Sequence, residues 1–358
     1  MTRRIRGFVL SLVVLAAAPG RADVLGLFID TSVSDERVGV VDPATGAVTA
    51  FGEALDTGPR SGGVYDVDLD TGNLYFVAGT DSAPGTWSLW TIDLRSGAAV
   101  DFPPVTTPVN FDGSPSFLEF DPVGGRILGI VSRTTDNRRF LARFDPVTGD
   151  MTLIGTGFTT GGYSSGISAF DAAHQIFYLV ANVFGGSDPA LYRVNAATGA
   201  VIGSATLTTA IPELGLTPNF LAYDPASGKV LAIVNLSPNK VLVSIAPTTG
   251  ALTALSAPMA ATGYSSGVAD FDEATGVFYF AANDATNTTS TLFRVEADGT
   301  VLPSHVFTSS DPDITPGPTF LVVPEPAGAA LALSALASLL GISRARSHAG
   351  FLNNLTTK

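Results

Sequence analysis

Between residues 23 and 323 the chain alternates short apolar runs with clusters of turn-forming residues and never sustains a helical period. Runs such as LYFVA (74–78), ILGIV (127–131) and VLAIV (230–234) are apolar throughout, which fits strands covered on both faces. Asp-Pro-x-x-Gly and Thr-Gly turns bound them. In such turns Asp caps its own backbone, Pro presets φ and Gly accepts φ > 0. The pattern predicts an all-β body of short antiparallel strands. Only the two ends of the chain carry apolar stretches of helical character.

The runs also repeat. GYSSGISAFD (162–171) recurs 101 residues later as GYSSGVADFD (263–272). PSFLEFDPVGGRILGIV (115–131) aligns without gaps to PNFLAYDPASGKVLAIV (218–234), and PTFLVVP begins at Pro318, 100 residues further on. GGVYDVDLDTGNLYFVA (62–78) fits the first class. Each unit reads as four strands in roughly 40–50 residues, the spacing of a propeller blade. Blades begin near Gly62, Pro115, Gly162, Pro218 and Gly263. A sixth is split: residues 319–323 supply its inner strand, and 24–30, 37–41 and 47–51 the other three. VLG at 24–26 stands where ILG at 127–129 follows the equivalent inner strand.

The fold expected is therefore an all-β, six-bladed β-propeller closed by pairing the C-terminal strand with the N-terminal ones, so that no edge is left in the ring. An N-terminal signal helix and a single C-terminal transmembrane helix flank it. The blades alternate in type, which makes the 100-residue period a two-blade unit repeated three times. A β-sandwich array or a solenoid is the alternative arrangement.

Composition narrows the chemistry. Cysteine is absent from the 358 residues, which excludes disulfides, thiolate zinc sites and a cysteine nucleophile. There are three histidines, His174, His305 and His348, and no G-x-S-x-G elbow joins a strand to a helix. A Ser-His-Asp triad and a His-based metal site therefore lack support. Without Met1–Ala22 and residues 324–358 the body holds 12 basic against 31 acidic residues, a net charge of −19. Such a surface repels phosphate backbones, and no nucleic-acid partner is expected.

Two sets of polar residues recur at matched positions. Asn182, Asn235 and Asn283 end the second strands of three blades, and Tyr-Ser-Ser, beginning at Tyr163 and Tyr264, precedes two inner strands. They fall on the face with the longer, varied loops, where function usually sits. A ring of amides, hydroxyls and aromatic rings suits sugars or peptides; the alternative role is capping of loop backbone. The second set lies two residues before each turn Asp and reads Asp66, Glu119, Ala169, Ala222, Asp270 and, in the closing strand, Val322. Three carboxylates at one level of a central channel are candidate ligands for calcium or magnesium, or else hydrated lining of a water-filled channel. No other cofactor is called for.

The chain ends carry addresses. Arg3, Arg4 and Arg6 precede an apolar run at 8–18, and Gly20 and Ala22 sit at −3 and −1 of a cut before Asp23. That is the pattern of a cleavable secretory signal peptide, with an uncleaved anchor as the alternative. Near the other end, Val323, Pro324, Glu325 and Pro326 lead into 16 residues without a charge (327–342), about 24 Å as a helix. Arg344 and Arg346 follow. In motif, order and position this segment resembles the PEP-CTERM sorting signal of Gram-negative bacteria. The resemblance implies recognition and processing by a membrane-embedded exosortase, transient membrane association through the C-terminal helix, and delivery to the surface of exopolysaccharide-producing cells. Two features depart from the family pattern: the arginines are split by Ala345, and a tail follows them. A single-span anchor is the alternative.

The organisation expected is a signal peptide at 1–22, a propeller at 23–323, a sorting segment at 324–346 and a tail at 347–358. The function expected is that of an exported, cell-surface or matrix-associated binding protein. It would be handled by export machinery and an exosortase, passing through an inner-membrane intermediate, and would take an extracellular polysaccharide or protein as ligand. The alternative is an extracellular metal-dependent hydrolase of the lactonase-like propeller type, a resemblance of fold alone.

Overall fold

The second strand of each expected blade is its most apolar run, and it lies deepest. Ile176–Asn182 and Arg126–Ser132 are buried at every position between their end residues. Such a strand has neighbours on both sides in its own sheet and another blade over each face, so no position is left to water. The computed structural model from which this follows describes residues 24–57, 60–80, 83–111, 114–136, 138–162, 168–262, 268–286 and 289–322, which belong to one unit, Asp23–Glu325. The signal-peptide stretch, Tyr163, Tyr264 and the sorting motif (Val323, Pro324, Glu325, Pro326, Arg344, Arg346) lie outside the described residues, as do the expected helices at both ends. Among the described residues no helix is long and apolar enough to cross a membrane.

The strands form six sheets, the blades of a propeller. Their innermost strands are Arg60–Asp68, Phe117–Asp121, Ser168–Asp171, Leu214–Asp224, Ala269–Asp272 and Ile314–Val322. Each packs on the next around the axis, and Ile314–Val322 packs back on Arg60–Asp68 to close the ring. Apolar layers fill the spaces between adjacent blades. One runs through blades 2, 3 and 4 (Phe117, Leu141, Leu179, Leu191, Val243), and another joins blade 6 to blade 1 (Leu27, Val38, Phe76, Trp90).

The split blade closes in the register that the sequence alignment expects. Gly26 pairs with Leu321 and Gly129 pairs with Leu118, so VLG and ILG meet equivalent residues of PTFL and PSFL. The inner strand is longer than the expected 319–323: it starts at Ile314, because the lead-in also pairs with Asp30.

A feature the sequence did not announce marks the two-blade unit. Linkers leaving blades 3 and 5 add a short parallel strand, Thr208–Thr209 or Thr308–Ser309, to the outer edge of the following blade. After blade 1, Thr106 makes the equivalent single bridge to Asp150. The same bond recurs at each place: Thr106 N to Gly149 O, Thr208 N to Gly250 O and Thr308 N to Gly46 O, all 3.0 Å. Gly250 is required here twice over. Its φ is +71°, and a Cβ would stand 2.1 Å from the carbonyl oxygen of Thr206, the last residue of blade 3's outermost strand.

Candidate functional site

The strand-to-strand turns at one end of the ring are built around buried aspartates. Asp272 Oδ1 accepts the amides of Ala274 (3.0 Å) and Thr275 (3.1 Å), and Asp121 Oδ1 accepts those of Val123 (3.1 Å) and Gly124 (3.0 Å). Asp68, Asp171 and Asp224 do the same in their blades. Asp121 is fully buried and also bonds outward: its Oδ2 meets Arg126 Nε at 2.8 Å, and its Oδ1 accepts Gln175 Nε2 of blade 3 at 2.9 Å. Burial alone would raise this carboxyl, but Gln175, the Gly124 amide and Arg126 outweigh it and hold the group below the usual carboxylate range.

These turns ring the mouth of a cavity of about 390 Å³ in the channel. Leu69, Asp70, Pro122, Ala172 and Glu273 form its rim, and Phe120, Phe170, Tyr223 and Phe271 contribute apolar wall. Deeper, Asp66, Glu119, Ala169, Ala222 and Asp270 line it at the level expected from the sequence. The space exists because two inner strands place alanine where three place a carboxylate. Variable loops pointed to the opposite face of the ring. The cavity instead opens among the short, uniform turns.

The carboxylates are turned into the wall. Asp66 Oδ1 accepts the Val67 amide at 2.7 Å, and its Oδ2 accepts the Phe120 amide of blade 2. Ser168 Oγ of blade 3 donates to Glu119 Oε1 at 2.5 Å, and the Phe271 amide donates to Asp270 Oδ1 at 2.8 Å. Tyr65, one residue before Asp66, donates its hydroxyl to Ala269 O of blade 5 at 2.7 Å. All three carboxylates are half-buried and face the confined channel rather than open solvent, so loss of bulk water governs their chemistry. Burial pushes Asp66 up to about 7, against the pull of its two amide donors. Burial and the neighbouring Asp66 charge push Glu119 well above the carboxylate range. Burial and Asp270 raise the Tyr65 phenol in the same way.

These bonds bear on the expected calcium or magnesium ligands Asp66, Glu119 and Asp270, because each already accepts a donor from the protein. Among the described residues no three of His, Cys, Asp and Glu are grouped to hold a metal ion. Asp66, Glu119 and Asp270 share the cavity, but each spends oxygens on hydrogen bonds along its own stretch of wall. Neither described histidine lines the cavity: His174 Nδ1 is 2.8 Å from Asp171 Oδ2 in a turn, and His305 lies in the outermost strand of blade 5.

The three asparagines sit at the other end of their strands, at matching positions, and none lines the cavity. Their backbones hold the lead-ins to the inner strands. Asn182 exchanges bonds of 2.8 Å with Gly161 and Gly162, and Asn283 O accepts the Thr262 amide at 3.0 Å. The Asn235 side chain accepts Lys240 Nζ. Lys240 is buried, and desolvation lowers its ammonium below the usual lysine value. Tyr65, Ser168 and Lys240 had no signal in the sequence. Each is a common residue in an ordinary strand, and only the convergence of separate blades gives it a partner.

Known proteins share the architecture. TolB from Acinetobacter baumannii matches with a TM-score of 0.54 at 12% identity, over 80% of this chain and 63% of its own, so the chain spans just under two thirds of TolB. A chain of the nidogen/laminin complex matches with a TM-score of 0.51 at 13% identity, over 85% of this chain and 100% of its own. Likeness at these identities shows the propeller fold alone. No curated protein matches the sequence. Residues 120–312 match the family described as a repeat of unknown function, DUF6923. That stretch exceeds half the chain and takes in the two-blade unit defined above, and the chain belongs to the DUF6923 repeat family.

Proposed function

We propose that this protein is an exported binding protein of the cell surface or extracellular matrix, delivered by its signal peptide and sorted through the segment from Val323 to Arg346. The observation that carries the binding role is the cavity of about 390 Å³ at the turn end of the ring. Its size falls in the range of small-molecule sites, and its walls mix aromatic rings with a few polar groups that fix orientation. A closed ring holds such walls rigid, so little order must be gained on binding. The ligand is an extracellular polysaccharide fragment or a protein segment that enters from the turn face. Asn182, Asn235, Asn283, Tyr163 and Tyr264 would serve a second contact surface at the loop face. The sorting segment, by its resemblance to exosortase substrates, supports release near Pro324–Pro326 from an inner-membrane intermediate.

The hydrolase reading draws on one observation, the pairing of Ser168 with Glu119 inside the cavity. A glycan and peptide array, run beside a panel of lactones and esters with and without added calcium, separates the two. Array signal without turnover supports the binding role; calcium-dependent turnover overturns it. Mass spectrometry of exported protein tests the sorting role: a C-terminus near residue 326 is expected, and intact residues 351–358 contradict it.

A further inference from the structure

The turn-end cavity offers hydrogen bonds in one sense only. Its described wall holds three side-chain hydroxyls, and each is spent inside the protein. Tyr65 donates to Ala269 O at 2.7 Å, Ser168 donates to Glu119 Oε1 at 2.5 Å, and Tyr223 donates to Asp171. No Lys, Arg, His, Asn, Gln or Trp is among the described residues lining the cavity. Acceptors, by contrast, remain. A carboxylate has about four lone-pair sites; Asp66 meets two backbone amides, and Glu119 Oε2 has no protein donor among the described residues. A ligand held here must bring the donors.

The rest of the wall selects among donors. Phe120, Phe170, Tyr223 and Phe271 line the space, and aromatic rings attract cations and pack against apolar ring faces. A phosphate, sulfate or uronate would bring a like charge beside Asp66, Glu119 and Asp270. A compact divalent ion is poorly matched too, because among the described residues no three carboxylates converge. A sugar-sized ligand can meet them one at a time. Burial raises the carboxyls of Asp66 and Glu119, as befits acids without a positive partner. A bound ammonium supplies that partner and favours the ionised, accepting form.

Resting on the binding role proposed above, we infer that the cavity takes a cationic amino sugar, a hexosamine unit of a polysaccharide whose amine is free and protonated. The ammonium meets the acidic wall, the hydroxyls donate to the remaining acceptors, and the ring lies against the aromatic side chains. A lysine side chain of a protein segment carries the same ammonium on a thin chain. It would leave most of the 390 Å³ unfilled and bring no hydroxyl donors, so the polysaccharide is the better fit.

The test is calorimetric titration of the full chain with a glucosamine oligomer whose amines are free, its N-acetylated counterpart and a lysine oligomer. The free-amine sugar is expected to bind at least about tenfold tighter than the N-acetylated one, as one charge-assisted hydrogen bond allows. Asp270→Asn keeps an oxygen for the Phe271 amide and should shrink that preference. Ala222→Phe narrows the cavity without changing its charge and should weaken the free-amine sugar at least as much. Equal affinity for the two sugars, both weakened by Ala222→Phe, overturns the amino-sugar assignment and leaves the cavity as the binding site. A preference for the lysine oligomer, lost in Ala222→Phe, does the same. Free-amine binding untouched by Ala222→Phe overturns the assignment and the cavity reading together, since the acidic surface at large then holds the cation. Should the variants fail to fold, wild-type crystals soaked with the glucosamine oligomer decide. An amine nitrogen within hydrogen-bond distance of Asp66, Glu119 or Asp270 is expected; a cavity without it overturns the proposal.

Discussion

The two ends of the ring solve opposite problems. At the turn end, blades 1 to 5 each repeat an aspartate that satisfies its own turn amides, and turns from four of them contribute residues to the rim of one cavity. At the loop end, Asn182 and Asn283 use backbone groups to hold the lead-ins to the inner strands, while side chains such as Phe184 stand exposed. Variety in sequence marks the loop end; enclosed space and displaced proton equilibria mark the turn end. Loop variation shows where a scaffold tolerates change, whereas a chemical environment has to be built by residues that converge from several blades.

Four substitutions probe that contrast, beginning with the most damaging. Asp121→Ala removes a fully buried acceptor from two amides, Arg126 and Gln175, and should cost about 3–5 kcal/mol in urea unfolding. Gly250→Ala drives a Cβ into the Thr206 carbonyl at a positive φ and should cost about 2–3 kcal/mol, with a matching drop in Tm. Asp66→Asn runs the other way: at pH 8 it should stabilise the ring by on the order of 2 kcal/mol, and near pH 4, where the native carboxyl is itself protonated, the gain should vanish. Asn182→Ala at the loop end leaves the backbone bonds in place and should change stability by less than about 0.5 kcal/mol. A loop-end substitution as costly as Asp121→Ala would erase the distinction between the two ends.

The ring itself was legible in the chain. Apolar runs such as LYFVA and VLAIV are the second strands, readable because covering on both faces leaves no polar alternation. The match of VLG to ILG fixed the split blade to the residue, since equivalent glycines meet equivalent leucines. The short strands Thr208–Thr209 and Thr308–Ser309 stayed hidden because two residues carry no periodicity. Of the site, the level of Asp66, Glu119 and Asp270 could be counted back from the turn aspartates. Their orientation could not: it depends on the Phe120 amide and Ser168, which belong to other blades. Position along one strand is readable from that strand alone, whereas a bond between blades needs two.

The account rests on the turn-end cavity being the place where a ligand is held. The most direct measurement is a glycan and peptide array probed with the wild type, Ala222→Phe and Asn182→Ala side by side. Ala222 lines the cavity and a phenyl group there would narrow it, while Asn182 lies at the other end of the ring. Signals that vanish with Ala222→Phe and persist with Asn182→Ala are the predicted result. Signals that survive Ala222→Phe and disappear with Asn182→Ala would contradict it.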